Sequence, residues 1–221
     1  MCFSTEASFA GGVIISTIGV FTVTKLHKRS QLVFGIIPLF FGIQQIAEGL
    51  LWWSLPNPDL LNLQKFSTYF FLTMAQVIWP AMIPFSVLAM EENPKRKKIL
   101  RVLLVLGIAL SLYYAICLMT FHVNPQIINY HIKYNTDFPG SLAKAAFVVY
   151  LVVTITPLFI SSVRRTHLMG ILVFLSCLLT AIFFTQYLTS VWCFFAALIS
   201  VVVLWILRDS KRQSLVDRLL P

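Results

Sequence analysis

Residues 168–207, LMGILVFLSCLLTAIFFTQYLTSVWCFFAALISVVVLWIL, contain no Asp, Glu, Lys or Arg. One helix of that length would run about 60 Å at 1.5 Å per residue. That is twice the ~30 Å hydrocarbon core of a bilayer. The stretch therefore reads as a hairpin of two membrane-spanning helices, turning near Thr185 to Ser190.

Working outward from this hairpin, the rest of the chain divides on the same ~20-residue scale. Spans are expected at about 7–25, 31–54, 65–90, 99–120, 142–163, 168–187 and 189–207. The expected fold is all-α: a polytopic membrane bundle of seven transmembrane helices over residues 1–208, with a short cytoplasmic tail at 209–221. On this plan Lys25, Lys28, Arg29, Lys95, Arg96, Lys97, Lys98, Arg101, Arg164, Arg165, Arg208, Lys211, Arg212 and Arg218 share one face. Only Lys65, Lys133 and Lys144 lie on the other. Lys and Arg are retained on the cytoplasmic side, so the N-terminus is placed outside and the C-terminus inside. The first span has no basic residues before it and its charges follow it, unlike a cleaved signal peptide.

Composition agrees. Of 221 residues 58% are apolar and 11% charged, with a mean hydropathy of +0.85. Soluble chains carry about 25% charged residues. The net charge of +9 lies in short clusters at span ends, which fits orientation and contact with anionic lipid rather than nucleic acid. The expected partners are the bilayer and a small-molecule or ion ligand, with no nucleic acid.

Function is read from polar residues at membrane depth. Glu48 is the clearest, because ionisable groups inside spans are costly and face a cavity or a partner. Gln44 and Gln45, at i−4 and i−3, share its helical face, and Trp52 continues it. Gln76 and Gln186 are candidate partners. Trp79 precedes Pro80, which frees a backbone carbonyl; with Pro84, it predicts a kink in the inner half of the third span. Trp192 begins the last span. Two readings of this set stand side by side: an interhelical hydrogen-bond knot, or a site for ligand or proton binding.

The cysteines form a second set. Removal of Met1 would leave Cys2 with a free amine and thiol. Three readings are open: a disulfide to Cys193, a metal site with His122, His131 or Glu6, or packing alone. Zinc or another divalent cation is the cofactor the metal reading implies. His122 and His131 stand nine apart in the one long loop, about 121–141, which is not the spacing of a helical zinc pair. Long loops of this kind are often functional lids.

Met1-Cys2-Phe3-Ser4, Phe41-Gly42-Ile43-Gln44-Gln45 with Glu48-Gly49 and Trp52, Ile78-Trp79-Pro80, His131-Ile132-Lys133-Tyr134 and Val191-Trp192-Cys193-Phe194-Phe195-Ala196-Ala197 resemble an uncharacterised bacterial family of integral membrane proteins whose chains open Met-Cys-Phe-Ser. The resemblance covers nearly the whole chain. It implies a bacterial inner (plasma) membrane location and no particular reaction. Members carry adjacent histidines slightly earlier, where this chain has Asn129-Tyr130.

The leading expectation is an outward-facing polar pocket centred on Glu48 that binds or transports a small molecule or cation, rather than an enzyme. The layout is similar to that of sugar carriers, but their Pro-Gln signature is absent from the spans; Pro125-Gln126 falls in the loop. One alternative is a metal-dependent membrane hydrolase of ceramidase-like layout, although spans six and seven hold no histidine. Another is a sensor or a structural subunit of a membrane complex. A retinal protein is excluded by the lack of a lysine in 189–207, and a dinucleotide or P-loop site by the lack of a Gly-rich strand-to-helix turn.

Overall fold

The computed structural model describes residues 4–26, 28–128 and 130–207. Seven helices within them are long and apolar enough to cross a membrane: α1 Thr5–Thr24, α2 Arg29–Ser54, α3 Pro58–Met90, α4 Pro94–Thr120, α5 Leu142–Ile160, α6 Arg165–Phe183 and α7 Leu188–Leu207. They run alternately up and down. Short turns carrying Lys28, Lys95 and Arg165 lie at one end, here the basic end. The other end carries the only long connection.

That connection corrects the all-helical expectation. It is a β-hairpin, β1 Val123–Ile128 paired antiparallel with β2 His131–Thr136. Its β-branched residues suit a half-buried ribbon. Ile127 faces Ile132 and Ile128 faces His131, and Tyr130, just before β2, is in the left-handed region at φ 63°. The hairpin folds down onto the bundle rather than away from it. Ile132 is fully buried against Leu51 and Trp52, and Tyr134 stacks on Phe71 with ring centroids 5.2 Å apart.

Helix ends are set by local chemistry. Ser4 caps α1 by accepting the Ala7 N–H at 3.2 Å. Asn93 caps α4, its Oδ1 accepting the Lys95 and Arg96 N–H groups, with Pro94 at the first helical position. Between α6 and α7 the chain breaks at Phe184 and makes a 3₁₀ turn, Thr185–Tyr187.

α1 lies along α2 at close range. A Cβ on Gly12 would stand 2.7 Å from Ile46 Cγ1, and one on Gly42 would stand 2.6 Å from Ser16 N. Any side chain at either position would force the helices apart, as at other small-residue membrane interfaces. Gly11, on the same helix, faces open space.

α3 is irregular at mid-depth, further from the basic end than the sequence places its kink. Pro80 has no N–H, so the Gln76 carbonyl loses its helical donor. The helix widens into a π turn at Thr73–Ile78, immediately before Trp79 and Pro80. Neighbouring helices serve the carbonyls of this turn: the Tyr150 hydroxyl donates to Ala75 O and the Ser111 hydroxyl to Val77 O, each at 2.6 Å.

The main core runs from the middle of the bundle to the basic end around Phe34, Phe41, Trp79 and Ile206. Large apolar residues on the outside, such as Val13, Val105, Leu112 and Ile182, would be an aggregation surface in water and are ordinary against hydrocarbon.

Candidate functional site

Glu48 lies on α2, less than two turns from Ser54 at the hairpin end, and has no solvent exposure. Helical spacing puts Gln44 and Gln45 on its face. Gln45 Nε2 donates to Glu48 Oε2 at 3.4 Å. Ser190, in the first turn of α7, donates a short hydrogen bond to Oε1. Gln44 Oε1 accepts the Trp79 indole N–H at 2.8 Å, and Trp79 stacks on Phe41 with centroids 3.9 Å apart. Gln44 and Glu48 also lie beside Cys193. The result is one polar network that ties α2 to α3 and α7, buried throughout.

The network is not saturated. Gln44 Nε2 and Gln45 Oε1 have no hydrogen-bond partner among the described residues. The same holds for the indole N–H groups of Trp52 and Trp192 and for Gln76 Oε1. A buried polar atom left without a partner costs about 1–3 kcal/mol. Such atoms usually mark a bound water, an ion or a site with chemistry to do.

Two small cavities adjoin the network. One, of about 40 Å³, has Phe41, Trp79, Tyr150, Trp192 and Cys193 in its wall. The second, of about 60 Å³, has Gln76, Tyr114, Thr189 and again Tyr150, Trp192 and Cys193. Tyr150 and Trp192 meet edge to face at 5.5 Å. Glu48 itself lines neither cavity; it stands behind Cys193 and Gln44. The expected open pocket centred on Glu48 is thus a sealed carboxylate next to aromatic cavities.

The sequence-predicted residues separate clearly. Glu48, Gln44, Gln45 and Trp79 are joined in one network, and Trp192 and Gln76 meet across the second cavity. Trp52 is placed under the hairpin, against Leu51 and Ile132. Gln186 is exposed in the 3₁₀ turn, and Glu6 is exposed in the first turn of α1. Cys193 is a buried free thiol, and Cys2, its expected partner, lies outside the described residues. The hairpin separates the two histidines: His122 precedes β1 and His131 opens β2, at opposite ends of the ladder. Among the described residues no three of His, Cys, Asp and Glu gather to hold a metal. His131 is buried instead between the rings of Tyr187 and Phe184, 4.8 and 5.1 Å away, and that burial lowers its pKa.

Sequence reasoning missed three residues. Ser190 gives no signal by itself, since serine is common in membrane helices. Tyr150 becomes relevant only once the π turn exposes its carbonyl. Glu91 reads as one of two solvated acids in a turn, but it is buried. Its Oε1 accepts from the Glu92 and Asn93 N–H groups and the Ser162 hydroxyl, and its Oε2 accepts the Ser162 N–H at 2.7 Å. Glu91 thereby clamps the α3–α4 turn to the α5–α6 turn.

The model of a family described as "Family of unknown function (DUF6629)" matches residues 1–218. No curated protein and no solved structure matches the chain.

Proposed function

The chain belongs to DUF6629, a family of unknown function, and we propose that it is a multi-pass protein of the bacterial inner membrane that binds, and by binding carries, a small molecule or cation. The hairpin end faces outward and the basic end the cytoplasm, a reading supported by the one-sided distribution of Lys and Arg. The observation that carries the proposal is Glu48: a carboxylate with zero exposure within a membrane-spanning helix, with Gln45 donating to one oxygen and Ser190 to the other. An acidic side chain within a membrane-spanning helix is costly and faces a cavity or a partner. A purely structural knot would use up its polar atoms. This one leaves Gln45 Oε1 with no partner among the described residues, poised for a ligand or for a proton exchanged with one.

Gln45 Nε2 can only donate, so it holds Glu48 Oε2 as an acceptor. A cation arriving beside Gln44 would compete with Ser190 for Oε1, and so couple binding to the contact between α2 and α7. This is the kind of two-state element that alternating access needs.

The test is a thermal-shift panel on detergent-purified protein, using monovalent cations, amino acids, sugars and amines at millimolar concentration. Wild type is expected to be stabilised by at least one of these, and Glu48→Gln to lose that shift while remaining folded. Equal shifts in both proteins, or a panel that stabilises neither, would overturn the proposal.

A further inference from the structure

The two cavities have a composition that the polar network does not explain. Four aromatic side chains, Phe41, Trp79, Tyr150 and Trp192, bound the smaller one. Two of these are held in place from outside, and a third, Phe41, stacks on one of them. Trp79 is fixed by its bond to Gln44 and its stack on Phe41, and Tyr150 by its hydroxyl on Ala75 O. The wall is a preformed aromatic box, and hydrogen bonds to atoms outside the box set the orientation of its rings.

Glu48 lines neither cavity but lies one turn along α2 from Gln44, which bonds Trp79, and accepts from Ser190, one turn before Cys193 on α7. Cys193 lines both cavities, and Gln44 and Glu48 lie beside it. Aromatic faces carry negative potential, and cations over them are stabilised by ~0.5–1 kcal/mol when exposed and ~2 kcal/mol or more when desolvated. A neutral apolar guest would use the rings but gain nothing from Glu48. An inorganic cation would use Glu48 but find hardly any oxygen donors in the walls. A charged group with alkyl substituents uses both. Space also limits the guest. At about 10–15 Å³ for each water-sized atom, 40 Å³ admits about three such atoms, and the neighbouring 60 Å³ admits about four to six more. The N–H groups of the guest would find an acceptor in Gln76 Oε1, which is unpartnered among the described residues and opens on the second cavity.

The partition between the two cavities is made of side chains. α5 and α7 approach through side chains, with Tyr150 and Trp192 meeting edge to face, rather than through close backbone packing. A rotation of Trp192, whose indole N–H holds it to no described partner, would join the two cavities.

We propose that these cavities are the binding chamber for a small alkylammonium ion, its charge over the rings of Trp79, Tyr150 and Trp192 and facing Glu48. This rests on the reading of Glu48 as a ligand-binding carboxylate and names the ligand class.

Isothermal titration of the full chain in detergent tests it, with methylammonium, dimethylammonium and tetramethylammonium chlorides as probes. Ethanol is the neutral probe matching dimethylammonium in heavy atoms, and sodium chloride is the inorganic control. Dimethylammonium is expected to bind at least tenfold more tightly than ethanol. Trp192→Leu and Glu48→Gln should each weaken it at least tenfold, and Trp192→Phe, which keeps a ring and guards against misfolding, by less. Ethanol binding as well as the amine, or Trp192→Leu leaving amine affinity unchanged, would overturn the chamber. Sodium binding that needs Glu48, with no amine binding, would overturn this inference and leave the proposed function standing. Amine binding indifferent to Glu48→Gln would overturn both.

Discussion

Glu48 and Glu91 are both shut away from solvent, at 0% and 2% exposure, and each accepts a hydrogen bond from a serine far along the chain, 142 and 71 residues away. The likeness ends there. Glu91 sits in a turn at the basic end and takes three backbone N–H groups besides the Ser162 hydroxyl. Burial by itself would raise its pKa. The N–H groups of Asn93, Ser162 and Glu92, with the Ser162 hydroxyl, outweigh that and bring it below 4.5. Its acceptor capacity is taken up in joining two turns. Glu48 lies within a membrane-spanning helix, accepts from the side chains of Gln45 and Ser190, and is flanked by Gln45 Oε1, which has no partner among the described residues. The donor set distinguishes an acid that holds the fold from one available for chemistry.

The largest effect expected from this contrast is on stability. Glu91→Ala strands three N–H groups at once. With about 1–3 kcal/mol for each buried group left unmade, the loss is on the order of 3 kcal/mol or more. The melting temperature in detergent should fall sharply, while any ligand that stabilises wild type still binds the folded fraction. Glu48→Gln should do the reverse. An amide keeps an oxygen to accept from Ser190 and removes a buried charge, so stability should change by about 1 kcal/mol or less. Ligand affinity should fall at least tenfold. If Glu48→Gln melts as badly as Glu91→Ala and binding is unaffected, the two acids play the same structural role and the comparison collapses.

How much of this the chain discloses depends on range. The seven spans follow from hydropathy and length, which are local, and they lie within a few residues of the helices except where caps intervene. Pro58 starts α3 seven residues before the expected 65, and the break at Phe184 ends α6 before Gln186. Glu48, Gln44 and Gln45 share a face because 3.6 residues make a turn, and a carboxylate at that depth is conspicuous. Ser190 and Ser162 are invisible, since nothing in their own neighbourhood says which distant acid they meet. The hairpin was legible only as a long loop: Pro125, Asn124 and Asn135 obscure its β pattern, and its two strands hold together by folding onto Leu51, Trp52 and Phe71. Glu91 is inconspicuous because adjacent acids before Asn93-Pro94 look like a solvated helix start.

The next effect is on the pH dependence of melting. The folded pKa of Glu91 is lowered, so its contribution is complete above its unfolded value near 4.5 and is lost as pH falls through the folded value. Melting temperature should therefore drop below about pH 4.5 in wild type, and less so in Glu91→Gln. An equal drop in both would assign acid sensitivity to other carboxylates.

The smallest effect lies at the opposite end and in a different pH window. His131 is held neutral by burial between Tyr187 and Phe184, so its folded pKa lies below 6.5. A group that binds its proton less readily when folded gives full stability above its unfolded pKa, and that stability is lost as pH falls below it. The hairpin should therefore loosen as pH falls below about 6.5, before Glu91 titrates and without the bundle melting. Hydrogen exchange over residues 123–136 would show the loosening, and His131→Phe, which keeps a ring against Tyr187, should abolish its pH dependence. The amplitude should be modest, because Ile132 on Leu51 and Tyr134 on Phe71 still hold β2 in place. Loosening that begins only below pH 4.5, together with global melting, would mean that the hairpin end has no acid response of its own. The two ends would then share the one control at Glu91. Loosening in the higher window places a pH-dependent cover above Glu48, at the end away from the clamp that holds the fold.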